Sequence, residues 1–391
     1  MYGIKMMEKI SKSILALFFI ASALYSSAYT ISPKADIHEA LTRTSKSCFD
    51  RALEAKLKPT VCPNELTVND DIDMTWMHDS SISLVDIGGW YKRMMGYSAK
   101  YPNLAEAVRW PDDPTRQIGV SGIVKFSINM LKNCDQYLGD NPNGRNDIND
   151  GLLCNSHNGD MQFLHSQASE VGEPSIDTYK KITGWATFLY MVASGHLTNE
   201  DLDQEYCSYF SGDDLLSKAL LPNERSIPCE DSKDPKWKLT TLFTFKCPHP
   251  LSSNGCYEEV GPSRFDKARI NATGALLHLI QDSYSQSHSE RGSCEVNDGK
   301  VTAKIECLPI TRFTTYRGQI KHGDADRTPL FGQECDSTGI GPTLAGAIML
   351  WNINQKRPLH EFQVDLERIF GTEAYITKHT FASSLGQCFE S

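Results

Sequence analysis

The 391-residue chain has no Cys-x2-Cys pair, no Gly-x-Ser-x-Gly elbow, no internal repeat and no low-complexity linker. Each absence removes a class of protein. Without paired thiols there is no framework for a thiolate zinc finger or ribbon, and Cys247-Pro248-His249 has no partner pair at ligand spacing. Without the strained serine turn there is no nucleophile of the α/β-hydrolase kind. Strand-like alternation is scarce, which argues against sandwiches and doubly wound sheets. Basic residues are in deficit, 39 Lys+Arg against 49 Asp+Glu for a formal net charge of −10. Such a surface repels phosphate backbones, so a long nucleic acid is a poor partner unless a local groove or bound cations reverse the field.

What is present begins with a leader. Lys5, Lys9 and Lys12 precede an apolar run from Ile14 to Leu24 that is too short to span a bilayer. Ser26 and Ala28 stand at the −3 and −1 positions of a cut that would leave Tyr29 as the mature N-terminus. The expectation is a signal peptide over residues 1–28 and a secreted product, extracellular or periplasmic. All 12 cysteines lie beyond that cut, and an even number in an exported chain reads as disulfides. Near neighbours such as Cys134/Cys154, Cys247/Cys256 and Cys294/Cys307 could close short loops, although sequence does not fix connectivity.

An apolar content of 40% supports a full core. Helical spacing runs through residues 35–57 (Ile37, Leu41, Ala52, Leu53, Leu57). A second stripe from Ser175 to Leu197 passes through Ile176, Tyr179, Ile182, Trp185, Leu189 and Met191. Further helices are predicted over Phe265 to Ser285 and Pro342 to Ile353. Between them, Asp112 to Asn158 and Leu221 to Ser263 are rich in Gly, Pro, Asn, Asp and Cys and read as disulfide-pinned loops. The expected fold is all-α: one multi-helix catalytic domain over residues 29–355, with residues 356–391 as a C-terminal extension tied down by Cys388.

The most informative stretch is Ala275 to His288, which sets His278, Asp282 and His288 at His-x3-Asp-x5-His spacing. Four residues apart on a helix, His278 and Asp282 project from one face and can reach one ion. His288 lies about 80° round from His278 on a continuous helix and suits a neighbouring ion better. His-x3-Asp alone arises readily by chance, but His322 and Asp326 repeat it downstream. His38, Asp112 in Arg109-Trp110-Pro111-Asp112-Asp113, and His165 after an apolar run complete the candidate ligands.

Taken in order, these residues resemble the zinc-dependent phospholipase C family, bacterial secreted branch, and its sister family, the single-strand-specific trinuclear-zinc nucleases of fungi and plants. The resemblance spans roughly residues 29–353 and is most specific around His278. It implies an all-helical fold and a three-zinc site whose ligands are Tyr29, His38, Asp112, His165, His278, Asp282, His288, His322 and Asp326. Carried over, Asp112, His165, His278 and Asp282 hold the first Zn2+. His288, His322 and Asp326 hold the second, and Asp282 bridges to a third that needs the α-amino group and carbonyl of Tyr29. The chain departs from the pattern in having Tyr29 where Trp is usual. Its His165 also lies unusually far from Asp112, which leaves His157 as a competitor for that position.

Such a cluster suits phosphodiester hydrolysis, because paired zinc ions lower the pKa of a shared water and neutralise phosphate oxygens. In the family's pattern Asp112 is both ligand and general base. The expected substrate is a phosphatidylcholine-like lipid at a membrane surface, cleaved to diacylglycerol and a phosphorylated head group by a monomer without an obligate protein partner. A single-strand nuclease or 3′-nucleotidase on the same scaffold is the alternative, toward which Asp326 points. A non-catalytic zinc-binding protein is the third possibility. Trp76, Trp90, Tyr91, Tyr97 and Tyr101 either fill helix contacts or offer an interfacial, choline-binding surface.

Overall fold

A computed structural model describes residues 37–62, 102–112, 155–157, 159–220, 237–245, 260–285, 287–291, 295–297, 300–302, 308–316, 339–376 and 381–383. Helix occupies 61% of them, and strands occur only as two short pairs, so the described part is mostly helical, as the apolar spacing implied. In chain order the helices are α1 (Ile37–Glu54), α2 (Pro102–Ala107), α3 (Ser175–Ala193), α4 (Asn199–Leu202), α5 (Tyr206–Tyr209), α6 (Leu215–Leu220) and α7 (Leu239–Thr244). They continue with α8 (Ser263–Asp282), α9 (Pro342–Asn354), α10 (Leu359–Phe370) and α11 (Glu373–Ile376). A 3-10 turn covers Gln162–His165.

Helix α8 is the axis of the fold. Pro262 precedes it, no proline interrupts it, and Ala268, Ala272 and Ala275 are small enough to admit neighbours on several sides. From Gly274 to Asp282 every residue is buried, the mark of a helix surrounded by others. It packs against α2, α3, α7 and α9, while α9 lies along α1. The closest approach is at Gly274, where a Cβ would overlap the Ala107 carbonyl group and the Val108 nitrogen. Only glycine lets the end of α2 settle there. Glycine also recurs where α9 meets α1, since a methyl on Gly346 would strike Ser45.

An aromatic block fixes the elements beside this axis. Trp185 and Phe188 of α3 lie against Phe243 of α7, with ring centroids 6.4 and 6.1 Å away, and Trp110 reaches the same Phe243 at 5.2 Å. Trp110 belongs to the segment that carries Asp112, so this packing anchors a candidate ligand through its neighbour. Helix α7 falls within the stretch from Leu221 that was expected as loop. Its Leu-Thr-Thr-Leu-Phe-Thr sequence has little intrinsic helicity, and its six buried side chains show that packing decides its conformation.

The strands are β1 (Ser289–Arg291), β2 (Glu295–Asn297), β3 (Lys300–Thr302) and β4 (Ile310–Phe313). Antiparallel pairing joins β1 to β4, with Ser289 opposite Phe313, and joins β2 to β3. The ladder matters because β1 starts directly after His288, and Thr314 N–H donates to the His288 carbonyl at 2.9 Å.

Within the stretch from residue 356, expected as a C-terminal extension, helix α10 packs against the core. Phe362, Leu366, Ile369 and Phe370 form the buried stripe of α10, and the Phe362 ring lies flat on Tyr190, with centroids 4.0 Å apart. Among the described residues Cys48 and Cys62 form a disulfide that pins the end of α1 to the turn after it, and Cys207 is also disulfide-bonded. Cys134, Cys154, Cys247, Cys256, Cys294, Cys307 and Cys388 lie outside the described residues. No helix among the described residues is long and apolar enough to cross a membrane.

Candidate metal centre

Five histidines and two aspartates meet beside the C-terminal half of α8, all buried: His38, His157, His165, His278, His288, Asp112 and Asp282. His278 and Asp282 lie one turn apart on α8, with Nε2 and Oδ2 3.0 Å apart. His38 comes from the first turn of α1 and stacks on the His278 ring at a centroid distance of 3.8 Å, placing its Nε2 3.4 Å from Asp282 Oδ1. Asp112 follows α2, and its Oδ1 is 3.6 Å from His278 Nε2 and 3.9 Å from both His157 Nε2 and His165 Nδ1. His165 closes the 3-10 turn, and its Nδ1 is 3.0 Å from both Asp282 Oδ2 and His278 Nε2.

The outer edges of three rings decide the inner ones. His278 Nδ1 lies 2.8 Å from the Val108 carbonyl, His38 Nδ1 lies 2.7 Å from Gln281 Oε1, and His288 Nδ1 contacts the His165 carbonyl. Each of those oxygens accepts, so each Nδ1 carries the proton and each neutral ring keeps its Nε2 lone pair. The lone pairs of His278 and His38 then face the carboxylate of Asp282 with no proton between them. The Gly274 contact makes the first of these bonds possible, because the same approach that needs glycine at 274 brings the Val108 carbonyl to His278, one turn on.

Electrostatics sharpens the picture. Burial, with the neighbouring His278 adding to it, holds the His38 imidazole well below its ordinary value, and burial pushes His288 down to about 4. Burial alone would raise the Asp282 carboxyl, but the neighbouring His278 and His288 outweigh it and hold Asp282 well below the usual carboxylate range. At neutral pH the His38 and His288 rings are therefore neutral, and they stand beside the buried Asp282 carboxylate. Asp282 Oδ1 and His165 Nε2 have no hydrogen-bond partner among the described residues. A buried carboxylate oxygen without a hydrogen-bond donor is costly, and a cation held by the surrounding ligand atoms would offset that cost.

Two groups have ligand atoms that all lie within 4.8 Å of one another and could each hold a metal ion: His38, His278 and Asp282, and Asp112, His157 and His165. Imidazole and carboxylate without thiolate fit zinc, and also other first-row divalent ions. The outer oxygens on His278, His38 and His288 are what metal-binding imidazoles ordinarily have.

Of the residues singled out from sequence, His38, Asp112, His165, His278, Asp282 and His288 meet here. His157, the competitor of His165 for its position, stands beside it at Asp112, with ring centroids 4.6 Å apart. Tyr29, His322 and Asp326 lie outside the described residues, as do Trp76, Trp90, Tyr91, Tyr97 and Tyr101. Three participants went unnoticed in the sequence. Gln281 on α8 holds His38, and Arg109 Nε donates to Glu39 Oε1, tying the Asp112 segment to the residue after His38. The third is the Val108 carbonyl, which no sequence pattern marks. Gln281 had a faint signal, lying three residues beyond His278 and so on the same helix face. Comparisons of the chain with protein-family models, with curated proteins and with solved structures returned no match.

Proposed function

We propose that the chain is an exported, zinc-dependent phosphodiesterase of the phospholipase C type, which hydrolyses phosphatidylcholine-like lipids to diacylglycerol and a phosphorylated head group. One observation carries the reading: imidazole Nε2 atoms, held from outside by Nδ1 hydrogen bonds, converge with two aspartates in a buried, acceptor-rich cluster. Zinc, when bound, supplies Lewis acidity toward a phosphate oxygen and lowers the pKa of water.

The chain's own residues then have separate tasks. His38, His278 and Asp282 form one ligand group, Asp112, His157 and His165 another, and His288 stands beside Asp282, with its Nδ1 3.7 Å from Oδ2. Asp112 accepts the proton of the attacking water as the new oxygen–phosphorus bond forms in line. The bond from phosphorus to the glycerol oxygen breaks, that oxygen takes a proton from solvent water to leave as diacylglycerol, and Asp112 returns its proton to solvent. Three Zn2+ ions per chain, with His322 and Asp326 serving one and the Tyr29 α-amino group another, extend this reading along the family resemblance.

The acidic balance of the chain supports a lipid over a polyanion, and the leader sequence and the disulfides support export. A second reading, a single-strand nuclease, draws on Asp326 alone, where bacterial phospholipases often carry Glu. Release of water-soluble phosphorus from phosphatidylcholine liposomes, run against digestion of single-stranded DNA with and without chelator, separates the two. Chelator-sensitive phosphorus release supports the lipid reading, DNA cleavage with inert liposomes replaces it, and inactivity on both leaves a zinc-binding protein without catalysis.

A further inference from the structure

We infer that Gln281 is a positioning residue, the side chain that makes His38 a ligand. The inference rests on the metal-site reading above and adds a residue to it. Of the outer acceptors that fix Nδ1 on the three locked rings, two are backbone carbonyls, Val108 for His278 and His165 for His288. A carbonyl of the main chain survives almost any substitution. The third acceptor is the Gln281 amide oxygen, 2.7 Å from His38 Nδ1, and it belongs to a side chain. The orientation of His38 therefore depends on one replaceable group.

The amide is itself held. Gln281 Nε2 donates to Thr42 Oγ1 at 2.9 Å, and Thr42 stands one turn after His38 on α1. His38 and Thr42 thus clasp the Gln281 amide from two sides, and all three side chains are buried. Helix α8 presents His278, Gln281 and Asp282 on one face, so a single turn supplies two ligands and the group that aims a third. Without that acceptor the Nδ1–H tautomer loses the hydrogen bond that favours it. The ring can then turn Nδ1 inward or protonate Nε2, and either change removes the lone pair that faces Asp282.

The test uses the mature chain as secreted, stripped of metal and retitrated. Zn2+ affinity is read by chelator competition, and Co2+ absorption reports the ligand field. Gln281→Met keeps the volume and removes the acceptor. It should weaken one ion by about 10–100-fold, leave the other ions in place and shift the Co2+ spectrum, in keeping with the loss of an outer-sphere partner. Gln281→Glu restores an acceptor for Nδ1–H and should bind within about threefold of the parent, a rescue that a merely structural role does not predict. Should Gln281→Met fail to fold, Thr42→Val loosens the same clasp from α1 and should weaken that ion by a smaller factor. Gln281→Met and Thr42→Val binding like the parent, while His38→Ala loses an ion, overturns the positioning role alone. A parent chain that takes up no ion, or His38→Ala without effect, overturns the metal reading and the positioning role with it.

Discussion

Two buried polar clusters flank the end of α8 and part at adjacent residues, Asp282 and Ser283. On one side the guanidinium of Arg291 donates to the carbonyls of Ser283, Leu308 and Ile369 and to the Ser283 hydroxyl, with its plane over the Tyr284 ring 3.9 Å away. Donors meet acceptors, and the group is 3% exposed without strain on the count. On the other side Asp282 faces imidazole lone pairs, and one of its oxygens has no hydrogen-bond partner among the described residues. Both clusters are deep and polar. Burial of polar groups marks no function by itself, whereas convergent imidazoles and carboxylates with an unsatisfied oxygen mark a place that could hold a cation.

Either side can be broken by a single substitution or a change of pH. Arg291→Met strands several carbonyls and should cost about 3–5 kcal/mol of stability in urea unfolding, equally in metal-loaded and metal-free protein. The second effect belongs to the histidine side and to pH. Folded His288 binds its proton only near pH 4, whereas the unfolded imidazole titrates near 6.5, so the unfolded chain binds more protons between those values. Metal-free protein should therefore be most stable above pH 6.5 and lose stability as the pH falls toward 4. His38, lowered in the same direction, adds to this loss. Equilibrium unfolding at stepped pH checks it, and a flat profile would remove the neutral-imidazole picture.

Metal comes next in size. Free Zn2+ at a hundred times its dissociation constant should raise the unfolding free energy by about 2.7 kcal/mol in the parent and by much less in Asp282→Asn. Without metal, Asp282→Asn should itself cost some stability at neutral pH, because the fold holds that carboxyl well below the usual carboxylate range and so favours its ionised form. Last, Gly274→Ala pushes the Ala107–Val108 backbone off α8, at a cost of about 1–3 kcal/mol. It should also weaken zinc binding by displacing the acceptor of His278, so Arg291→Met and Gly274→Ala differ in metal content although both destabilise.

The sequence carried the long helices well. Residues 37–54, 175–193 and 263–282 carry apolar spacing over several turns, and 342–354 is an apolar run of helical length buried over consecutive residues. Short elements were less legible. Thr-rich α7 becomes helical because Phe243 and its neighbours are packed, and spacing along the chain does not say that Phe362 of α10 meets Tyr190. In the candidate site, the i, i+4 pair His278/Asp282 could be read directly, since helix geometry places both on one face. The shared position of His157 and His165 at Asp112 could not, because spacing along a loop does not encode where the loop goes. Gln281 escaped for a related reason: its partner His38 is 243 residues away.

If the cluster around Asp282 is built for cations, metal content will show it: the purified parent chain should carry at least two zinc ions, and Asp282→Ala should lose two where His322→Ala loses one. A parent chain free of metal, or an Asp282→Ala protein with undiminished zinc, would contradict it.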